Sequence, residues 1–167
     1  MAKRKPLGIR NRNPLNIRYN KQDLWLGMFG QESGFCKFKS FVWGYRAAFR
    51  LLKTYNDKYQ LFTIKDIIKR WAPPSENFTK IYIRNVCNMI GCVETYCIDI
   101  DSRDFREDAI NLVRAMASVE TGVKFEDIDP VTIEIAWDYA FKGKVIPGAH
   151  EYDFYKEGNK ERREQSC

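Results

Sequence analysis

The sequence predicts a mainly α-helical fold carrying one small β-hairpin or sheet, and three observations carry the prediction. Apolar residues recur at helical spacing in five separate stretches between Val42 and Phe141. Those stretches are bounded by helix signals, among them Thr63, Gly91, Gly122 and the pair Asp129-Pro130. The short aromatic runs broken by Gly or Asn are confined to residues 16–41, where no helical period is present.

Up to about Arg18 the chain is rich in Asn, Arg and Pro and lacks periodicity, which predicts an ordered loop whose side chains bond back to the backbone. Ile17-Arg18-Tyr19, Trp25-Leu26-Gly27 and Phe35-Cys36-Lys37-Phe38 then read as the strands of a small sheet or hairpin between Asn16 and Phe41. Val42 to Tyr55 places Tyr45, Phe49, Leu52 and Tyr55 on one helical stripe. A second helix runs from the capping-competent Thr63 to Trp71 and stops before Pro73-Pro74. Asn77 to Ile90 carries Ile81, Tyr82, Asn85 and Met89 at helical spacing and is closed by Gly91. Cys92 to Asp101 reads either as an extended crossing or as a loop. Asp104 to Gly122 forms the next helix, and Asp129 with Pro130 starts the last, which runs to Phe141 ahead of Gly143.

A chain of 167 residues, 44% hydrophobic and 14% aromatic, has the size and composition of one domain with one core. We expect that domain over residues 1–149, with a basic N-terminal arm, and a charged, flexible tail over 150–167. No apolar run approaches the roughly 20 residues that cross a bilayer, and the basic N-terminus leads into polar sequence instead of a signal core. The expectation is a protein made in the cytoplasm without an export signal. The five cysteines (Cys36, Cys87, Cys92, Cys97, Cys167) have neither zinc-site nor redox-pair spacing and read as buried free thiols. With one histidine, His150, near the tail, neither metal nor cofactor is expected.

The net charge of +6 implies an acidic partner: nucleic acid, anionic lipid or the bacterial cell wall. Much of the excess sits in Lys3, Arg4, Lys5, Arg10, Arg12, Arg18 and Lys21, where aromatic residues are not interleaved as in a single-strand binding platform. A basic nucleic-acid-binding role is therefore the third of three readings.

Glu120 is the leading candidate for chemistry. It continues the stripe of Ala109, Leu112, Val113 and Met116 onto the last turn before Gly122, so its carboxylate ends a face otherwise meant for the core. Desolvation and the negative end of the helix dipole both raise its pKa, which keeps a carboxylic acid protonated near neutral pH. Such an acid suits glycosidic-bond cleavage. The same residues also describe an ordinary helix end, with Gly122 as cap and Glu120 half exposed.

Three further clusters have site-like composition. Asn11 to Arg18, with Asn13, Asn16 and Arg18, offers amides and a guanidinium that pin either a loop or a sugar. Gly30-Gln31-Glu32-Ser33-Gly34-Phe35 puts a carboxylate at a hairpin tip, where it is either functional or a solvated turn. Trp71-Ala72-Pro73-Pro74-Ser75-Glu76-Asn77, followed by Thr79 and Tyr82, combines a rigid turn, an aromatic face and several polar groups, the mixture that binds a pyranose. Trp71 equally reads as a core residue, and Glu76 as a helix-start carboxylate.

The order Asn13-Pro14-Leu15-Asn16-Ile17-Arg18, Trp25-Leu26-Gly27, Phe35 and Phe38, Tyr45-Arg46-Ala47, then Trp71 to Asn77 with Thr79 and Tyr82, resembles phage and prophage virion structural or lysozyme-like proteins. The resemblance spans about Gly8 to Phe141. A looser likeness extends to glucosaminidases of the lysozyme superfamily, whose catalytic glutamate precedes these motifs. Here the corresponding helix end, Val119-Glu120-Thr121-Gly122, follows them. The resemblance thus implies a lysozyme-like fold in circularly permuted order. The phage-type pattern at this helix end is His-Glu-Asn-Gly, and Val119 and Thr121 depart from it.

The resemblance implies cleavage of peptidoglycan glycan strands by a muramidase, glucosaminidase or lytic transglycosylase. Glu120 would be the acid and Glu32 a second carboxylate, since its hairpin setting is similar to that of the glucosaminidases. Asn13, Asn16, Arg18, Trp25, Trp71, Glu76, Asn77, Thr79 and Tyr82 would hold the sugar. The alternative is a catalytically silent virion or cell-wall-binding protein that keeps the groove. The partners implied are peptidoglycan and phage virion components, with the wall reached through a holin, lysis or the virion itself.

Overall fold

The computed structural model describes residues 2–75, 78–143 and 154–156. Among them it is mainly helical, with a two-stranded antiparallel sheet. In chain order the elements are α1 (Leu7–Arg10), β1 (Met28–Glu32), β2 (Phe35–Phe38), α2 (Phe41–Tyr59), α3 (Ile64–Trp71), α4 (Thr79–Ile90), α5 (Arg106–Thr121) and α6 (Pro130–Phe141). The expected hairpin forms from β1 and β2, with Glu32 opposite Phe35 and a register irregularity between Met28 and Gly30. Trp25-Leu26-Gly27, expected as strand, lies in the turn that leads into it.

Helix α5 is central. Its expected apolar stripe is fully buried, and so is every residue from Leu112 to Ser118, which is the signature of a helix surrounded by others. Arg114 is held there because its guanidinium donates twice to the Ile128 carbonyl, at 3.1 and 2.8 Å, and lies over the Phe125 ring. Helices α4 and α6 pack on α5, and α6 packs still more extensively on α2. The Trp137 indole of α6 is fully buried and donates to the Ile100 carbonyl at 2.8 Å.

Several helix ends follow their local chemistry. Thr63 accepts from the Asp66 N–H, Asp129 accepts from the Val131 N–H with Pro130 at the first helical position, and Gly91 and Gly122 take the left-handed conformation that closes α4 and α5. The segment 92–101, read as either an extended crossing or a loop, is a loop with turns, pinned beside the start of α3 by one isolated bridge between Thr63 and Cys97 and by Ile98 N–H to Phe62, Ile64 N–H to Tyr96 and Lys65 N–H to Glu94. Asn56 ties this loop to α2, donating to the Ile98 carbonyl at 3.4 Å and accepting from the Ile100 N–H at 2.8 Å.

Four expectations are corrected. The N-terminal segment is not loop throughout, because one helical turn, too short to show a period, forms α1. Ile81 does not face the core: α4 buries Thr79, Tyr82, Ile83 and Val86, a face rotated from the one that includes Ile81, which is 46% exposed. A 3-10 turn, Arg103–Phe105, precedes α5. Cys36 is buried as a free thiol, but Cys87 and Cys92 are half-buried and Cys97 is exposed. Cys167, His150 and most of the expected tail lie outside the described residues. The part that is described is docked, with Phe154 fully buried against Phe41 and Tyr155 bridged to Ile128.

Candidate active-site cleft

The loop after α1 is shaped by one amide. Asn13 is fully buried, donates to the Ile17 and Cys36 carbonyls at 3.0 Å each, and accepts from the Ile17 N–H at 2.9 Å. These bonds fasten the loop to β2 and occupy both ends of the side chain, so Asn13 serves the loop. Gly44 of α2 lets it sit close, since a Cβ there would collide with the Arg12 carbonyl oxygen. Asn16 follows at φ 52°, a left-handed conformation that asparagine tolerates better than most residues, and its amide reaches α5.

There Asn16 donates to Glu120 Oε2 at 3.0 Å, and the Tyr82 hydroxyl of α4 donates to Glu120 Oε1 at 3.1 Å. The Trp71 side chain is a third, weaker partner. Burial raises the Glu120 pKa above its ordinary value, outweighing these hydrogen bonds, which act to lower it. Tyr82 is nearly fully buried, and burial first, then the neighbouring Glu120 charge, push its phenol well above its usual value. The helix end that places Glu120 is itself secured by Ser118 donating to the Val123 carbonyl at 2.6 Å and Thr121 donating to Ala117 at 2.7 Å.

Glu120 opens onto a cleft of about 440 Å³ shared with Asn16, Arg18, Trp25 and Trp71, all sequence-predicted site residues. Arg18 lies over the Phe35 ring, 5.5 Å from its centroid, and Trp71 meets Tyr55 edge-on at 6.2 Å. The Trp25 indole N–H and the Asn16 side-chain oxygen are buried without a partner among the described residues. Neither atom is exposed to the cleft, and the Asn16 oxygen lies against Gly8, where a Cβ would meet it at 3.0 Å. The cleft continues past Tyr55, Arg70 and Pro73 into a shallower groove of about 560 Å³.

The remaining predicted residues lie differently. Thr79 is buried and donates to the Ala72 carbonyl at 2.6 Å, holding the turn behind Trp71, and it does not line the cleft. Glu76 and Asn77 lie outside the described residues. Glu32 does not line the cleft either: at the end of β1 it pairs with Arg10 and, at 3.5 Å, with Arg4. Instead, Asp23 is the carboxylate that shares the cleft with Glu120. No sequence signal marked Asp23, and Tyr55 and Arg70 were also missed, although Tyr55 lay on the apolar stripe of α2 and Arg70 adjoins Trp71. Among the described residues, no group of three or more His, Cys, Asp or Glu side chains converges to hold a metal ion.

The chain is 33% identical over 136 residues to Protein P5 of Pseudoalteromonas phage PM2, a match covering 79% of this chain and 81% of that protein. It belongs to the P5 family. No protein-family model matches the sequence. The phage origin of that relative supports the phage connection implied by the sequence resemblance.

Proposed function

We propose that this chain cleaves the glycan strands of peptidoglycan, with Glu120 as the general acid. The observation that carries the proposal is a carboxyl group at a helix end, raised in pKa by burial, on the wall of a cleft lined by indoles, amides and a guanidinium. Trp25 and Trp71 offer apolar faces for a pyranose, and polar groups of Arg18 and Asp23 line the same cleft beside its hydroxyls. A groove continuing past Pro73 suits a polymer. We read the fold as lysozyme-like in circularly permuted order, with the acid-bearing α5 after the hairpin and the Trp71 turn.

In the proposed reaction, protonated Glu120 donates its proton to the leaving glycosidic oxygen as the C1–O bond breaks. Glu32, tied to two arginines away from the cleft, takes no part. Either water, activated by Asp23, attacks C1, or the sugar's own hydroxyl does so and returns its proton to Glu120. The first route yields a reducing end and the second an anhydro end, one water lighter. The enzyme would reach the wall through a holin, cell lysis or the virion, in keeping with its phage kinship.

One observation favours a catalytically silent virion or wall-binding protein: Val119 and Thr121 flank Glu120 where the phage-type pattern has His and Asn. The test separates the readings. Glu120→Gln should abolish clearing of purified peptidoglycan while leaving the melting temperature at acid pH nearly unchanged. Wild-type protein that pellets with insoluble peptidoglycan but releases no soluble fragments supports the silent reading, and a variant that clears as fast as wild type removes the acid.

A further inference from the structure

The sequence concentrates basic residues near the N-terminus without interleaving aromatic residues as a single-strand platform would, yet folding brings rings beside several of them. Lys5, Arg10, Arg12 and Lys37 line a second recess, of about 400 Å³, together with the rings of Phe29, Phe41 and Tyr155. It shares no lining residue with the Glu120 cleft. Glu32 offsets the charge of Arg10, whereas Lys5, Arg12 and Lys37 have no carboxylate partner among the described residues. Arg12 is fixed by donating to the Lys39 carbonyl at 2.9 Å, and the Lys37 ammonium lies 5.6 Å from the centroid of the Phe29 ring. Phe29 is 57% exposed, a large apolar ring left in water beside uncompensated cations.

We propose that this recess binds single-stranded nucleic acid. Cations that track a phosphate backbone beside an open aromatic ring suit unpaired bases, whose faces stack on such a ring and are hidden in a duplex. The hairpin carries Phe29 and Lys37 on neighbouring strands, so one unit of the polymer spans both. This site is independent of the Glu120 reading, because none of its residues enters that cleft.

Fluorescence anisotropy of the full-length protein with a labelled oligothymidylate, and with a duplex of equal length, tests the proposal. The single strand should bind more tightly, with an affinity that falls with salt at a logarithmic slope of about −2, from roughly 0.7 per phosphate contact at three unpaired cations. Phe29→Ala should weaken binding by about fivefold to a hundredfold, the effect of losing one stacked base, and Lys37→Gln should weaken it and flatten the salt slope. Unchanged melting curves and unchanged peptidoglycan clearing by both variants would show that fold and cleft are intact. Equal affinity for the duplex, or single-strand binding indifferent to both substitutions, overturns the proposal. So does loss of binding to anionic phosphatidylglycerol vesicles or to peptidoglycan in these variants when the oligonucleotide does not bind.

Discussion

At Glu120 burial and hydrogen bonding act in opposite directions, and burial prevails. A carboxyl whose folded pKa lies above its unfolded value, about 4.3, favours the folded state fully only below that value, and the advantage is lost as pH rises through the folded pKa. Glu120→Gln should therefore melt with wild type at acid pH and gain on it progressively above the ordinary carboxylate range, which thermal denaturation across pH will show. If Glu120 is the acid, the rate of clearing should fall on the alkaline side at the same raised pKa, and Glu120→Gln should lower it by at least about 100-fold. Asn13 gives a contrasting case. Asn13→Ala strands the Ile17 N–H and two carbonyls in a buried loop, and urea denaturation should show a loss of about 2–3 kcal/mol. Both residues stood out in the sequence as amide and acid in unusual settings, but nothing there assigned Asn13 to its loop and Asn16 to Glu120. That division depends on which side of a left-handed turn each residue occupies.

Among the elements, helices were legible where caps and periods coincide. Thr63, Gly91, Gly122 and Asp129-Pro130 all mark real ends, because each meets the demand of a helix terminus for donors, acceptors or a left-handed residue. The face of α4 was not legible, since Ile81, Tyr82, Asn85 and Met89 fit one stripe and Thr79, Tyr82, Ile83 and Val86 another, and only its neighbours α3 and α5 decide between them. α1 escaped notice because a single turn carries no period. The hairpin tip was read correctly, but the partners of Glu32 come from an arm more than 20 residues upstream, which no local pattern foretells. Close packing between elements makes a sharper prediction. Gly44→Ala should push the Arg12 loop off α2, costing about 1–3 kcal/mol in urea denaturation and loosening the Asn16 contact with Glu120. Asp129→Ala, which removes only the cap of α6, should cost about 1 kcal/mol.

For the molecule as a whole, α5 is the axis on which the helices pack, and its far end supplies the carboxyl of the cleft. Residues more than 100 positions apart, Asn16 and Glu120, meet there. That meeting joins the hairpin side of the protein to its helical side across a groove of saccharide size. The central claim is that a proton held by Glu120 passes to a glycosidic oxygen. Digestion of purified peptidoglycan with wild-type protein and Glu120→Gln in parallel, followed by mass spectrometry of the products, tests it most directly. New reducing or anhydro glycan ends should accumulate with wild type and be absent with the variant. Equal numbers of new ends from both, or none from the wild-type protein, would contradict the account.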